Sequence, residues 1–375
     1  MRRYLAIFFL CIFGCELVVD IDVPFEGGKL TLNSFFSPDS LWKAQLNLNR
    51  HVLDETPFQA VDNGSIVIYE GTNPIDTLIS EGNGLYRSDS ARPQAGKQYE
   101  VKAEAGNFQA VQAISSAPVP VELLDVETSE EITEEQVSTK FKILFSDDGA
   151  RSDYYRIILE MAQEQYDVNT KSVIQYWQRI PLSPEDPEYE NEDFNYQETI
   201  MVSDALFNGK EAELSFSTPI YGVLGYPIVV LSLQTLSEDC YRYLITSELQ
   251  RNTSGDPFAQ PVNVHNNITN GFGIFAGYSS SRRLWEGPKP VITDISPMHG
   301  KPGDRIIITG ENFNTSPYGS IVRFDGDPYP WIASTLVVSE TQMEAIVPDQ
   351  AITGKIIIQT QGRVILSDGP FTIDN

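Results

Sequence analysis

Short runs of alternating apolar and polar residues recur along most of this 375-residue chain, and they limit its fold more than any other feature. In residues 99–104 the apolar side chains take every second position, which is the period of a strand with one buried face. Turn-forming groups at residues 62–64 and 83–84 separate such runs. The sequence therefore predicts an all-β protein of tandem immunoglobulin-like or related β-sandwich units.

Changes in composition divide this pattern into three units. Residues 28–120 are expected to form an N-terminal β-sandwich, which ends in a stiff, extended Ala-Pro-Val-Pro stretch. Residues 121–286 are expected to form a second β-rich domain, in which residues 172–180 pair back on residues 154–161 as a hairpin. Residues 287–375 again alternate between short strands and Gly- or Pro-containing turns, and they form the third unit.

One helix is expected, near residues 237–250. Ser237 is a suitable N-cap, and two acidic residues follow it in the first turn. An apolar stripe at helical spacing completes the pattern and consists of Tyr241, Leu244, Ile245 and Leu249.

The N-terminus has the features of an export signal. Two arginines precede an apolar run over residues 4–13, which as a helix would span about 15 Å, half of a bilayer core of about 30 Å. The run ends in Ile-Phe-Gly-Cys, which resembles a bacterial lipobox. That resemblance implies a lipoprotein signal peptide at residues 1–14, diacylglycerol and palmitate-type acyl chains on Cys15, and a lipidated tether over residues 15–27. The alternative is an ordinary signal peptide that is cleaved elsewhere.

Cysteine content and charge narrow the expected partners. Loss of the signal peptide leaves Cys240 as the one cysteine besides Cys15, so no disulfide partner is expected and Cys240 is interpreted as a small core residue. The formal net charge is −26, from 26 basic and 52 acidic residues, which argues against nucleic acid as a partner. The bilayer, reached through acylated Cys15, is the first expected partner.

The third unit closely resembles the IPT/TIG domain. The matching residues are Ile295, Pro297, Gly300, Gly303, Ile306, Ile308, Gly310, Asn312 and Phe313. The resemblance implies an immunoglobulin-like sandwich. Some members of that family contact DNA, but this unit has six basic and ten acidic residues, so its net charge is 6 − 10 = −4. We therefore expect a structural or partner-docking role.

Residues 16–286 resemble a family of uncharacterised Bacteroidota lipoproteins that are often encoded beside TonB-dependent outer-membrane transporters. The resemblance is carried by the segments 84–86, 96–99, 240–243, 255–258, 261–262 and 266–278. It implies an outer-membrane location, with the surface-facing and periplasmic orientations both open, and an outer-membrane β-barrel transporter as a partner.

Two sets of candidate site residues follow from short motifs. Residues 266–278 combine asparagines, glycines and aromatics, and as a partner-contact loop they would use Asn266, Asn267, Asn270, Phe272, Phe275 and Tyr278. The alternative, which we favour, is a tight turn that leads into a strand. Three Asp-Ser/Thr-aliphatic triplets resemble an O-glycosylation sequon of the same phylum and make Ser40, Thr77 and Ser90 candidate acceptors.

Motifs for catalysis or for binding a cofactor are not found in the sequence. His51, His265 and His299 lack metal-ligand spacing, and neither a nucleophile elbow nor a phosphate-binding glycine loop is present. The acidic run at residues 185–193 could bind calcium or sugar, but a solvated loop is the favoured interpretation. No cofactor or metal is expected.

The sequence thus favours a non-enzymatic outer-membrane lipoprotein that acts as an accessory or ligand-capture partner of a TonB-dependent transporter. The alternative is a stand-alone surface adhesin or glycan-binding protein, which exposed aromatic side chains would favour. A hydrolase with scattered carboxylates is a third hypothesis, which would require two facing acids in a cleft.

Overall fold

The computed structural model describes residues 27–51, 54, 56–132, 137–187, 197–220, 222–253, 260, 262–315 and 319–374. Strands dominate these residues, and the predicted all-β architecture is confirmed. The signal peptide, Cys15 and most of the tether lie outside the described residues. Within the described part of the chain, no helix combines the length and the apolar character that a bilayer-crossing segment requires.

The described residues of the first unit form seven strands in chain order. They are β1 Leu30–Phe36, β2 Lys43–Leu48, β3 Ser65–Glu70, β4 Asn73–Gly82, β5 Leu85–Arg87, β6 Gln98–Glu104 and β7 Val111–Ser116. In β6 the alternation predicted from the sequence is present, since Tyr99, Val101 and Ala103 are buried and their neighbours are not. Strand β4 pairs with both β3 and β5, so it joins two layers around one apolar core.

The second unit contains nine strands and the one α-helix among the described residues. They are β8 Leu123–Ile132, β9 Val137–Ser146, β10 Tyr154–Asp167, β11 Ser172–Arg179, β12 Ser183–Pro184, β13 Ile200–Ser203, β14 Glu211–Thr218, β15 Ile228–Leu236, α1 Glu238–Thr253 and β16 Phe272–Trp285. The sheet β12-β14-β9-β8 packs its phenylalanines against aliphatic residues of β10 and β15. The expected hairpin is present as β10 and β11, which pair antiparallel.

A single strand, β16, connects the first two units. Its first half pairs in parallel with β1, and its second half pairs antiparallel with β15. One continuous hydrogen-bonded path therefore runs β11-β10-β15-β16-β1-β2-β5-β4-β3-β6-β7, with β13 attached to β10. The stiff Ala-Pro-Val-Pro stretch at the expected boundary is tied to β16, because the Ser279 hydroxyl donates to the carbonyl oxygen of Pro118 and the Ser281 hydroxyl donates to that of Val121, the next residue after the stretch.

Helix α1 begins as the sequence predicts. The Ser237 hydroxyl accepts a hydrogen bond from the Cys240 amide at 3.3 Å, which is the N-cap interaction. Cys240 is fully buried on the core-facing side of the helix, as predicted, and burial raises the pKa of its thiol to about 12. The stripe differs at its end: Leu249 is 49% exposed, while Tyr243 packs edge-on against Phe35.

In its described residues, the third unit is the expected sandwich of two four-stranded sheets, with a separate two-stranded pair. Its strands are β17 Val291–Ser296, β18 His299–Gly300, β19 Arg305–Glu311, β20 Ser320–Phe324, β21 Trp331–Ile332, β22 Ser334–Ser339, β23 Gln342–Ile346, β24 Ile356–Thr360, β25 Arg363–Leu366 and β26 Thr372–Ile373. The motif residues Ile295, Ile306, Ile308 and Phe313 are buried in its core. The Ser296–Pro297 peptide bond is cis.

Polar contacts fix the third unit to the β10–β11 hairpin. The Glu164 amide donates to the Gly362 carbonyl at 2.7 Å, and the Glu164 carboxylate accepts from the Val364 amide at 2.9 Å. Lys171, in the hairpin turn, lies 3.2 Å from the Asp325 carboxylate. The third unit therefore packs beside one end of the hairpin and leaves the rest of β11 uncovered.

Candidate functional site

Strand β11 is exposed along its whole length. All eight side chains of Ser172–Arg179 are exposed to solvent. The strand does not alternate strictly between apolar and polar residues. It is the last strand of its sheet: one edge pairs with β10, and the other edge has no partner strand among the described residues. A long edge strand with exposed apolar side chains is unusual in a soluble domain, and such surfaces commonly mark interaction sites.

Amide and aromatic side chains form one face of this strand. Tyr176 is 39% exposed, and its hydroxyl donates to the Gln163 amide oxygen at 2.8 Å. The Gln163 amide nitrogen in turn donates to Gln178 at 3.2 Å. Because these bonds hold the three side chains together, the tyrosine ring and the two amides form a pre-ordered surface.

The other face of β11 carries the most exposed aromatic ring of the strand. Trp177 is 53% exposed and lies opposite Ala162, which is fully buried. Alternation along the strand places Gln175 and Arg179 on the same face, on either side of the ring. Arg179 is held 3.8 Å from Glu160. The indole can stack on the apolar face of a ligand ring. The amide, guanidinium and carboxylate groups beside it can form hydrogen bonds with hydroxyl groups on the same ligand ring.

The loop at residues 266–278 satisfies its own polar groups. Asn267 forms two hydrogen bonds with the backbone of Phe275, its amide nitrogen to the carbonyl at 2.8 Å and its oxygen from the amide at 2.9 Å. The Asn266 oxygen accepts from the Ile268 amide at 3.2 Å. Asn270 has a positive φ of 64° and donates to the Ala110 carbonyl. This geometry is the turn that leads into a strand.

The aromatics of the same loop do not share one surface. The Phe275 ring is fully buried in the first core, which corrects its inclusion in a contact loop. Phe272 is 43% exposed, with the Lys29 ammonium 5.5 Å from its ring centre. Tyr278 is partly buried, and burial raises the pKa of its hydroxyl.

The candidate glycosylation residues lie at different depths. Thr77 in β4 and Ser90 are exposed, while Ser40 is partly buried and its hydroxyl lies 3.5 Å from the Ser37 carbonyl. Exposure makes Thr77 and Ser90 accessible acceptors, and glycosylation of all three stays a prediction.

Two of the three histidines each pair with a single carboxylate. His265 lies 2.8 Å from Asp239 at the start of α1, and His299 lies 2.8 Å from Asp374, whose hydrogen bond raises the pKa of that imidazole. His51 is partly buried. In the described ranges, no group of three or more His, Cys, Asp or Glu side chains is placed to hold a metal ion.

A cluster of buried carboxylates escaped the sequence analysis. Asp147 accepts hydrogen bonds from the Gly149 and Gly209 amides at 3.1 and 2.7 Å. Asp204 accepts from the Asp153 amide at 2.7 Å. Burial raises the pKa of Asp153, although Arg151 lies 2.7 Å away. These oxygens fix loop backbone, which favours a structural role; the Asp-Asp-Gly turn is the signal that could have identified them.

The first residues of the acidic run, 185–187, border a depression of about 400 Å³ beside β12 and β14. Glu185 contributes to its wall and pairs with Lys140 at 3.0 Å. The run beyond residue 187 lies outside the described residues.

Family comparisons match both parts of the chain. The model described as "Domain of unknown function (DUF4249)" matches residues 16–283, and the IPT/TIG domain model matches residues 290–373. Both resemblances predicted from the sequence are thereby confirmed. No curated protein matches the chain.

Similar solved structures share little with the chain. A protein of unknown function from Bacteroides thetaiotaomicron is 19% identical, with a TM-score of 0.22 over 23% of this chain and 22% of its own. SGBP-B from a complex xyloglucan utilization locus in Bacteroides uniformis is 13% identical, with a TM-score of 0.21 over 67% of this chain and 49% of its own. A protein crystallised with xylogluco-oligosaccharide is 12% identical, with a TM-score of 0.22, over 90% and 58%. The chain therefore covers less than two thirds of each, and these scores carry no functional conclusion.

Proposed function

Because the chain belongs to the DUF4249 family and ends in an IPT/TIG domain, we propose that it is a non-enzymatic outer-membrane lipoprotein that captures carbohydrate. The family assignment does not supply an activity, so the proposal depends on the exposed surface of the molecule. Strand β11, with Tyr176 and Trp177 exposed on opposite faces, is the observation that carries it.

The chemistry of β11 suits a sugar better than an apolar ligand. Sugars present C–H groups on the ring faces and hydroxyl groups at the edges, so they need both aromatic surface and hydrogen-bonding side chains. Each face of the strand combines a ring with amides that both donate and accept: Tyr176 lies with Gln163 and Gln178 on one face, and Trp177 lies with Gln175 on the other. The bonds between Tyr176, Gln163 and Gln178 reduce the side-chain ordering that binding would cost.

The proposed anchor is the acylated Cys15. One acyl chain holds a protein only weakly, whereas two or three chains give stable attachment. We propose that this anchor holds the described domains at the outer membrane. Replacement of Cys15 by alanine is expected to release the protein from the membrane fraction. Protease treatment of intact cells then reports whether the domains face outward.

The proposed partner is a TonB-dependent transporter, and the third unit carries the surface proposed to meet it. Four apolar side chains are exposed on one of its sheets: Ile307 (41%), Leu336 (61%), Val338 (52%) and Ile346 (38%). Exposed apolar groups of this extent commonly mark protein contacts. Affinity purification from detergent-solubilised outer membranes should recover a barrel protein with the wild type and lose it with Leu336→Asp. Recovery of no barrel protein with the wild type would contradict this part of the proposal.

Binding of the mature chain to a panel of immobilised plant and host polysaccharides tests the ligand class. Trp177→Ala is expected to weaken binding about two- to tenfold, because a stacked ring contributes about 0.5–1.5 kcal/mol. Trp331→Ala is the matched control, since Trp331 is 41% exposed on the third unit. An equal loss in both variants, or no loss in either, would contradict the assignment to β11.

A further inference from the structure

A recess lies where the second and third units meet. It has a volume of about 210 Å³ and is partly open to solvent, so a sugar ring of a longer glycan can enter it. One residue of the second unit and four residues of the third unit line it: Tyr226, Asn314, Ile321, Gln359 and Gln361. Ligand sites occur preferentially at such junctions between domains. The recess is therefore a candidate ligand site.

The turn between β24 and β25 forms part of the wall and holds the two units together. Its two residues, Gln361 and Gly362, have positive φ angles of 45° and 71°, as a two-residue type I′ hairpin turn requires. A Cβ on Gly362 would lie 2.5 Å from Cδ1 of Tyr226, so the turn rests directly on the tyrosine ring. The Gln361 amide nitrogen also donates to the Gly222 carbonyl at 3.2 Å. These contacts fix the two sides of the recess relative to each other.

The side chains that line the recess carry no charge, and three of their polar groups can bind a ligand. The Tyr226 hydroxyl has no hydrogen-bond partner among the described residues. Gln361 uses its amide nitrogen on Gly222 and keeps its side-chain oxygen available. Gln359 accepts from the Arg323 guanidinium at 2.9 Å and keeps its amide nitrogen available. The recess thus offers a hydroxyl, an acceptor and a donor.

The recess lies on the same side of the sheet as the Tyr176 face of β11. Leu159 and Met161 of β10 enter the second core, and alternation places Gln163 on the same face beyond them. Tyr176 lies opposite Gln163 and projects from that face. Tyr226 packs against the same core, and burial, with a smaller contribution from the Tyr176 phenol, raises the pKa of its hydroxyl. The proposed glycan surface and the recess therefore adjoin at one end of the second core.

Resting on the proposed function, we propose that this recess is a subsite for one uncharged sugar ring of the captured glycan. Neighbouring hydroxyl groups of a sugar both donate and accept, so one pair can bond to the Gln361 oxygen and the Gln359 amide nitrogen together. A third hydroxyl group can bond to Tyr226. An anionic group would find no opposite charge among the lining side chains, and the chain has a net charge of −26. The ligand class is thereby narrowed to neutral glycans.

Affinity electrophoresis of the mature chain in native gels tests this subsite. The gels contain one purified polysaccharide each: neutral hydroxyethylcellulose, starch, galactomannan, galactan or arabinan, or acidic polygalacturonate or alginate. We expect at least one neutral polysaccharide to retard the wild type and the acidic polysaccharides not to do so.

Tyr226→Phe is the most specific variant. It removes a hydroxyl group that no described residue uses, so the melting temperature should not change. Affinity for the retarding polysaccharide should fall about fivefold, through loss of one uncharged hydrogen bond. Tyr69→Phe is the matched control, because Tyr69 is likewise half-buried, has a hydroxyl without a partner among the described residues, and lies in β3 of the first unit. It should bind like the wild type.

A second variant tests the space rather than the hydrogen bond. Ile321→Trp places a larger ring in the recess and should lower affinity by at least about tenfold, because the sugar ring is excluded. Ile321→Val keeps the recess open and should bind like the wild type. If Ile321→Trp fails to fold, as circular dichroism would show, Tyr226→Phe and Tyr69→Phe still provide the test.

The outcomes separate this inference from the proposed function. Wild-type affinity in Tyr226→Phe or in folded Ile321→Trp, with binding still reduced in Trp177→Ala, would overturn the subsite and leave carbohydrate capture by β11 standing. An equal loss in Tyr226→Phe and Tyr69→Phe would also overturn it. Retardation by the acidic polysaccharides alone would overturn the neutral subsite but not carbohydrate capture. Retardation by none of the polysaccharides would contradict both.

Discussion

The loop at residues 266–278 and strand β11 are built from the same residue types but differ in burial and in hydrogen-bond partners. Both place side-chain amides beside aromatic rings. In the loop, the side-chain amide of Asn267 forms hydrogen bonds with the backbone of Phe275, whose ring is fully buried. In β11, the amides bond to each other and to Tyr176 while the rings remain exposed. Composition alone therefore does not separate a structural turn from the proposed binding surface; burial and hydrogen-bond partners do.

The largest effect is expected from Phe275→Ala. Removing a fully buried ring from the first core should lower the free energy of unfolding by about 3–5 kcal/mol. Phe272→Ala is the matched control and should change it by less than about 1 kcal/mol, because that ring is 43% exposed. Urea unfolding measures both. Similar losses for the two variants would remove the distinction between core and surface in this loop.

A smaller effect is expected from Asn267→Ala. The change leaves the amide and the carbonyl of Phe275 without their side-chain partner, so the free energy of unfolding should fall by about 2 kcal/mol. Gln175→Ala on β11 is the comparison and should be neutral within about 0.5 kcal/mol. Chemical denaturation followed by circular dichroism gives both values. An unchanged free energy of unfolding in Asn267→Ala would mean that the loop does not depend on these two hydrogen bonds.

Tyr176→Phe is expected to alter binding rather than stability. The hydroxyl is exposed, so the free energy of unfolding should change by less than about 0.5 kcal/mol. Loss of its bond to Gln163 frees the amides, so affinity for the bound glycan should fall about threefold. Calorimetric titration measures the affinity. A marked loss of stability would place β11 with the structural loop instead.

The smallest effect is expected from a change at Asp153, a buried carboxyl group whose charge depends on pH. Its folded pKa is raised, so the stability that its proton contributes is present below the unfolded pKa of about 3.9 and is lost as pH rises through the folded value. Asp153→Asn cannot titrate. The stability difference between wild type and variant should therefore change across this acidic window and be constant near neutral pH. Thermal unfolding at several pH values measures it, and a constant difference throughout would contradict the assigned direction.

The features that the sequence predicted best depend on residues that are close to one another in the chain. The alternation of apolar and polar residues predicted the strands, and the N-cap residue Ser237 predicted the start of the helix. The shared strand β16 was not predictable, because its pairing with β1 joins segments that are more than 200 residues apart. The hairpin of β10 and β11 was predicted, but the exposure of β11 was not, since apolar residues such as Trp177 normally indicate burial.

The same reasoning explains the polar sites. For His265 and Cys240, the sequence shows the residue type. The fold determines which groups lie beside these two side chains. The hydrogen bond between Arg156 and Gln234 likewise depends on the register of two strands, which local pattern does not encode. Cys15, by contrast, depends on a local motif alone, and its acylation stays a prediction.

Hydrogen–deuterium exchange of the mature chain, with and without a saturating oligosaccharide that it binds, tests the central claim most directly. Our account predicts ligand-dependent protection in residues 154–179, where β10 and β11 lie, and unchanged exchange in residues 266–271. Protection of residues 266–271 with β11 unchanged would contradict it.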